Sequence, residues 1–338
     1  MSKIAMVSGG SGYIATFVIQ RLLAEGWTVH TTIRNLEREA EVRQRFPDAG
    51  DNLKFFQADL MHDEGWAAAM AGCTHVAHIA SPIAAATPKH EDDLIVPARE
   101  GALRALRFAS EAGVKRFVQT SSMAAVAYGM DRGEKTFDEN DWTDITHPDA
   151  HAYVKSKTIS ERAARDWMAH HPTEMEYCSV NPGMVLGPVT DADFSASVLA
   201  IQQIMDGAMP MAPDIAYPLV DVRDVADLHV KALTAESIEG DRFLAAGPTL
   251  TFLDMSLVLH DKLGEKARKA PKRKMPDWLV SIMAIFNSDV RGIKTEIGKM
   301  RLVKGTHSQD KLGWQMRPVE DTIVDTANSL IDHGVVKV

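Results

Sequence analysis

The chain has 338 residues, 45% hydrophobic and 25% charged, with 37 basic against 46 acidic side chains and a net charge of −9. Such a length supports a large buried core in about two domains. The acidic balance excludes the concentrated positive charge that a broad nucleic-acid or anionic-membrane footprint needs.

Ile4 to Ser8 reads as a buried strand, Tyr13 to Glu25 as a helix and Thr28 to Ile33 as a second, β-branched strand. Leu53 to Ala58 is a third strand with Asp59-Leu60 as its exit, Trp66 to Ala71 a short helix, and His75 to Ala80 a fourth strand. From Asp92 to Ala112 the apolar positions Leu94, Ile95, Ala98, Ala102, Ala105, Leu106 and Ala109 recur mostly at three and four, an amphipathic helix with Pro97 placed to bend it. Arg116 to Gln119 is a fifth strand and Ala152 to His170 a long helix; Met175 to Val180 is a sixth strand, ended by Asn181-Pro182-Gly183. Strands separated by helices imply parallel βαβ units, hence an α/β fold with a doubly wound parallel sheet. Past Gly183 the regularity fades, with prolines scattered over 188–218 and a strand–helix pair from Tyr217 to Leu233. The expected division is residues 1–181, to which the chain returns near 215–235, and a smaller mixed α/β unit over most of 182–338.

The first strand leads into Ser8-Gly9-Gly10-Ser11-Gly12-Tyr13-Ile14-Ala15, which opens a helix. Between strand and helix, a glycine turn has the setting of a dinucleotide site. Gly9 permits a tight turn, Gly12 lets backbone approach a pyrophosphate, and Ala15 allows close helix–strand packing. The helix start offers N–H groups and positive dipole to the anion. The alternative is a purely structural turn. At the end of the second strand, where NAD sites usually carry an acid, stands Arg34, followed by Arg38. A guanidinium pairs with a ribose 2′-phosphate that a carboxylate would repel, so NADP(H) is favoured. The competing reading is that both arginines merely begin a solvated helix with Glu37, Glu39 and Glu41.

Tyr153 and Lys157 lie four apart on the long helix, and so on one face. An ammonium beside a phenol lowers its pKa and makes it a usable proton donor near neutral pH. The fifth strand ends in Thr120-Ser121-Ser122-Met123, setting hydroxyls at the carboxyl edge of the sheet, where open α/β sheets bind ligands. A serine there can polarise a substrate carbonyl.

The glycine turn, the paired serines and Tyr153-x-x-x-Lys157 resemble the extended short-chain dehydrogenase/reductases, with a Rossmann-type fold. Val76-Ala-His-Ile-Ala-Ser81-Pro82, Val114 through Ser122, Asn181 through Pro188, Val220 through His229 and Lys311-Leu-Gly-Trp314 are similar to the dihydroflavonol reductase, cinnamoyl-CoA reductase and yeast-type aldehyde/ketone reductase group. The resemblance implies Ser122, rather than Ser121, as the carbonyl-orienting serine, Tyr153 as acid/base, and Lys157 as the holder of the nicotinamide ribose. It further implies Gly9, Ser11, Gly12, Tyr13 and Ile14 at the phosphates, Arg34 at the 2′-phosphate, and Asp59 and Leu60 at the adenine. Ala80 and Ser81 would border the diphosphate and ribose, and Pro182 to Val185 the nicotinamide end. The expected activity is reversible, NADPH-dependent reduction of an aldehyde or ketone. The alternatives are a sugar-nucleotide epimerase or dehydratase, a hydroxysteroid dehydrogenase, and a non-enzymatic NADP sensor. Sensors tend to lose the tyrosine or lysine, and both are present.

Met184, Met205, Met209 and Met211, with Phe194 and Tyr217, read equally as a hydrophobic substrate pocket or as core of the smaller unit. His147 and His151, with Asp144 and Asp149, read as a solvated loop rather than a metal site. His229 reads as packed, and Asp224 as the N-cap of its helix. Cys73 and Cys178 are too few and too distant for a disulfide framework or zinc knuckle. The first residues run directly into a strand, with no room for a signal peptide, and the apolar run Leu279 to Phe286 is far below the roughly 20 residues of a bilayer span. These readings predict a soluble, cytoplasmic monomer or homodimer acting on a small, hydrophobic carbonyl or alcohol, with no nucleic-acid, membrane or metal partner.

Overall fold

A computed structural model of the chain describes residues 3–82, 88, 90–191, 195–286 and 294–338. Its first half runs β1 (Ile4–Val7), α1 (Tyr13–Ala24), β2 (Thr28–Ile33), α2 (Glu39–Arg43), β3 (Leu53–Gln57), α3 (Trp66–Met70), β4 (His75–His78), α4 (Asp92–Glu111), β5 (Arg116–Thr120), β6 (Gly133–Phe137) and α5 (Ala152–His170). There follow β7 (Glu176–Pro182), β8 (Met184–Leu186), α6 (Ala196–Asp206), β9 (Ala216–Asp221), α7 (Val222–Thr234), β10 (Arg242–Ala245), β11 (Thr249–Thr251) and α8 (Phe252–Leu263). The chain ends with α9 (Asp277–Phe286), β12 (Lys299–Val303), α10 (His307–Leu312) and α11 (Val319–Asp332).

Seven strands form one parallel sheet in the order β10-β7-β5-β4-β1-β2-β3. This is the Rossmann-type doubly wound arrangement, its winding reversing between β1 and β4. The period of two along each strand distributes side chains to both faces. Ala5 and Val7 join the core against α1 and α7, while Met6 joins the opposite core against α3 and α4. Helix α4 continues through Pro97 and buries all seven of the apolar positions that its periodicity singled out. Both cysteines are buried free thiols, one in each core.

The smaller unit is built on a three-stranded sheet, β11-β9-β8. Its core joins Leu186 and Leu219 to apolar faces of α6, α8 and α11. A third, two-stranded sheet pairs β6 with β12, from Gly133 against Lys299 to Phe137 against Val303. Of the segment 215–235, α7 packs on α1 beside the seven-stranded sheet, whereas β9 belongs to the small one. Strand β10 then returns to the edge of the large sheet, against β7.

The cap of α7 differs from expectation. Asp221, not Asp224, is its N-cap, accepting the Arg223 N–H at 2.8 Å. Asp224 lies in the first turn, where its carboxylate takes the Arg317 guanidinium at 2.8 and 2.9 Å and its carbonyl accepts from Trp314 Nε1 at 2.8 Å. Either aspartate fits an N-terminal turn locally; the distant Trp314–Arg317 segment recruits the second. The Lys311-Leu-Gly-Trp314 motif therefore anchors the C-terminal segment on α7. Among the described residues no helix is long and apolar enough to cross a membrane.

Candidate active site

A parallel sheet brings all its strand ends with free carbonyls to one edge, so residues just beyond each strand converge. Gly9 follows β1, Arg34 follows β2, Asp59 follows β3, Ala80 and Ser81 follow β4, Ser122 follows β5, and Pro182 closes β7. Tyr153 and Lys157 come from the first turns of α5. The crevice lies where β1 and β4 adjoin at the reversal of winding, the usual ligand position in open α/β sheets.

Gly9 has φ +75°, a conformation that glycine adopts without a Cβ penalty. Gly10 has a different constraint: a Cβ there would stand 2.2 Å from Thr31 Oγ1. Thr31 cannot readily turn aside, because its hydroxyl donates to the Val7 carbonyl at 2.8 Å. Gly10→Ala is therefore expected to cost about 1–3 kcal/mol of stability by overpacking. Urea denaturation should show that loss, and Gly10→Ala/Thr31→Ala should recover part of it. Gly12 is the N-cap of α1, exposed and with no side-chain cap. Among the described residues the N–H groups of Ser11, Tyr13 and Ile14 have no acceptor, leaving an anion-ready turn.

Two contacts hold this turn that sequence reasoning missed. Ser8 Oγ accepts from both Ile79 N and Ala80 N at 2.9 Å. With both lone pairs engaged, its proton goes to His78 Nδ1 at 3.0 Å, fixing that histidine as the neutral Nε2–H tautomer. Burial, and after it the Lys157 charge, push His78 down to about 3. Arg45 donates to the Ser11 carbonyl at 2.8 Å and pairs with Asp191 at 2.7 Å, bracing the turn from outside. Sequence carried little signal for either, since both join residues distant along the chain.

Arg34 is exposed and has no partner among the described residues. Arg38 instead bonds Glu41 at 2.7 and 3.1 Å, so the two arginines divide between the two readings of this segment. Asp59 Oδ1 accepts the Met61 N–H at 2.7 Å, and Leu60 packs where a Cβ on Gly101 of α4 would strike it at 2.7 Å. Ala80 is the nearest neighbour of a Cβ built on Gly9, at 3.1 Å, so the β4 exit adjoins the phosphate turn.

At the β5 exit the two serines part company. Ser121 Oγ donates to Glu161 at 2.5 Å, away from the crevice. Ser122 Oγ accepts the Ala124 N–H at 3.1 Å and lies beside the Tyr153 phenol. Burial pushes Tyr153 above its ordinary value, and the neighbouring Ser122 hydroxyl opposes this. The expected depression of the phenol by Lys157 is absent: Lys157 is itself buried and pushed down to about 8, only partly supported by the Glu161 anion. Among the described residues its ammonium makes no hydrogen bond. Pro182 and Val185 are buried on the far side, flanking the crossing from β7 to β8.

The methionine group divides. Met205 is core of the smaller unit, while Met184 and Met209 pack partly buried against that core with Tyr217. Met211 lies with Tyr217 against Ile215 and Met275, and Phe194 falls outside the described residues. The loop before α5 is not simply solvated. Asp149 is buried and receives Lys299 Nζ at 2.7 Å and His147 Nδ1 at 2.8 Å, because the β6–β12 sheet brings Lys299 over it. Asp144 stays exposed, bonded to Thr146. Among the described residues no cluster of potential metal ligands forms.

This sheet, with its glycine turn and its crevice at the reversal of winding, defines a Rossmann-type nucleotide-binding class of architecture. Residues 5–246 match the model of the NAD dependent epimerase/dehydratase family, and the chain belongs to that family. Cinnamoyl-CoA reductase 2 of Arabidopsis thaliana is 32% identical over 98% of this chain and 93% of its own length. Cinnamoyl-CoA reductase CAD2 of Medicago truncatula is 32% identical over 71% of this chain and 75% of its own. Yeast methylglyoxal/isovaleraldehyde reductase, solved with NADPH, superposes at a TM-score of 0.82 over 98% of this chain and 99% of that one, at 23% identity. The motif resemblance to these reductases is thus matched along nearly the whole chain.

Proposed function

We propose that the protein is an NADP(H)-dependent oxidoreductase that reduces an aldehyde or ketone to the alcohol, reversibly. The observation that carries this reading is the juxtaposition of Ser122 and the Tyr153 phenol, with Lys157 one turn further along α5, at the carboxyl edge of the parallel sheet. Relatives named as cinnamoyl-CoA reductases, and a structural neighbour solved with NADPH, support it.

The residues fit the cofactor. Among the described residues the N–H groups of Ser11, Tyr13 and Ile14 are free, the glycines of the turn put no side-chain bulk before a diphosphate, and Arg34, which has no partner there, suits a 2′-phosphate. Asp59 and Leu60 would border the adenine, Ala80 and Ser81 the central ribose and diphosphate, and Pro182 to Val185 the nicotinamide end. When bound, NADPH supplies the hydride. Ser122 and Tyr153 hold the carbonyl oxygen, and Tyr153 gives up its proton to it. Lys157 holds the ribose from the next turn of α5. Orientation and donors aimed at the developing alkoxide supply much of the rate. Residues 1–181, with α7 and β10, make the dinucleotide half, and most of 182–338 makes the substrate half.

The reading is tested by following reduced-nicotinamide absorbance with NADPH and NADH in parallel, against aliphatic and aryl aldehydes, aryl ketones, β-ketoesters, diketones and a dihydroflavonol. Turnover with NADPH well above NADH supports it. Binding of a dinucleotide with no turnover of any carbonyl favours instead a sugar-nucleotide epimerase or dehydratase, which the family description keeps in view. Arg34→Ala is expected to raise the NADPH KM about tenfold to a hundredfold, the worth of a charge-assisted contact of about 1.5–3 kcal/mol. The NADH KM should stay unchanged, and equal effects on both cofactors would remove the 2′-phosphate assignment.

A further inference from the structure

Glu161 is the least exposed charged side chain near the site, at 0% exposure, and nothing in the proposed reaction uses it. It lies one turn beyond Lys157 on α5 and both of its oxygens are saturated. Oε2 receives Ser121 Oγ at 2.5 Å and Asn181 Nδ2 at 2.8 Å. Oε1 receives Arg242 Nε at 2.7 Å and Arg165 Nε at 3.2 Å, with Ser179 Oγ at 2.9 Å. The second hydrogen of the Asn181 amide goes to the Ser122 carbonyl at 3.2 Å. One carboxylate thereby connects the helix bearing Tyr153 and Lys157, the β5 exit bearing Ser122, and the β7 end leading into Pro182.

Burying an anion is costly unless it is paired and hydrogen-bonded throughout, and a half-satisfied network is worse than none. Packing alone would be served as well by an apolar side chain. What the charge adds is direction. Ser121 is drawn away from the crevice, so its neighbour Ser122, on the alternate side of the extended chain, faces Tyr153. Asn181 fixes the Ser122 backbone from the other strand.

We propose that Glu161 is a positioning residue of this site, clamping Ser121 and Asn181 so that Ser122 stands opposite Tyr153 and supplying a fixed negative charge behind Lys157. The inference rests on the reductase reading above. The Glu161 anion also favours protonated Lys157, whose burial opposes its charge.

The test compares Glu161→Gln, Glu161→Asp, Ser121→Ala and Tyr153→Phe with the parent chain. It reads kcat and KM for a carbonyl at saturating NADPH, NADPH binding by protein fluorescence, and the thermal midpoint. Glu161→Gln should lower kcat about tenfold to a hundredfold, the scale of a misplaced reacting group. Its carbonyl KM and NADPH affinity should stay within roughly threefold of the parent, a loss confined to the transition state. Glu161→Asp, which keeps the charge with a shorter reach, should restore part of kcat. Parent kcat in Glu161→Gln overturns the proposal. Should Glu161→Gln not fold, Ser121→Ala decides, because it cuts one arm of the clamp and leaves the ion pairs in place. It should lose kcat while still folding, and parent kcat in it overturns the clamp. Tyr153→Phe separates the two levels. Full activity in that variant removes the reductase reading itself, whereas its inactivity beside a parent-like Glu161→Gln removes only this inference.

Discussion

Tyr153→Phe is expected to lower kcat/KM for carbonyl reduction by about a thousandfold, within the range of 10²–10⁴ that positioned general acids contribute. That ratio corresponds to about 4 kcal/mol of transition-state stabilisation. The substitution removes one oxygen, so the ring keeps its place beside His151, with which it stacks at 6.4 Å between centroids. NADPH affinity should therefore change little, and fluorescence titration checks this separately from turnover. The phenol also sets the pH profile. Burial holds Tyr153 above its ordinary value, so the protonated form needed for reduction persists through the neutral range. Reduction should stay level across neutral pH and fall only in alkali, while oxidation, which needs the phenolate, rises over the same alkaline range. A variant that reduces carbonyls at the parent rate would place the proton donor elsewhere.

The parts of this site that the sequence made legible are those whose physics is local. A glycine turn between a strand and a helix, or a tyrosine four residues before a lysine on one helical face, is complete within a dozen residues. Where the reading stopped, a partner far along the chain decides. Ser121 and Ser122 look alike in sequence, and what distinguishes them is Glu161, some forty positions away and on another element. Asp221 and Asp224 are both plausible caps until Trp314 and Arg317 claim the second. Gly10 is required because of Thr31 on the neighbouring strand, not because of any feature of its own turn. Strand β6 has a polar, mostly exposed pattern that gives no strand signal; its partner is β12, and that pairing buries Asp149 under Lys299. The same limit explains the phenol. Adjacency of Tyr153 and Lys157 was readable, but not how deeply both would be buried, and burial is the largest influence on each.

Two histidines that brace the strand ends lead to a second large effect, on stability in mild acid. His78 accepts from Ser8 through Nδ1, whereas His229 donates Nδ1–H to the Val225 carbonyl at 2.8 Å and accepts the Thr120 hydroxyl at Nε2, at 2.7 Å. Both are neutral and buried, and burial first of all pushes them down to about 3 and about 4. An unfolded histidine titrates near 6.5. Below that value the unfolded chain binds protons that the folded chain refuses, so stability is full above pH ~6.5 and declines as pH falls toward 4. At pH 5 each histidine removes about 2 kcal/mol, and the pair about 4 kcal/mol, against a total of about 5–15 kcal/mol for a typical domain. Carboxylates with depressed values, such as Asp149 beside Lys299, titrate lower still, so the window from pH 6.5 to 5 belongs chiefly to the histidines. Urea denaturation at pH 7 and pH 5 should show this decline, and His229→Gln should reduce the difference between the two by about 2 kcal/mol even if it lowers stability at pH 7. Unchanged midpoints from pH 7 to pH 5 would show that the rings are not held neutral. Because His78 accepts from Ser8, which holds Ala80, and His229 accepts from Thr120, next to Ser121 and Ser122, the same protons act on the two strand ends that frame the crevice.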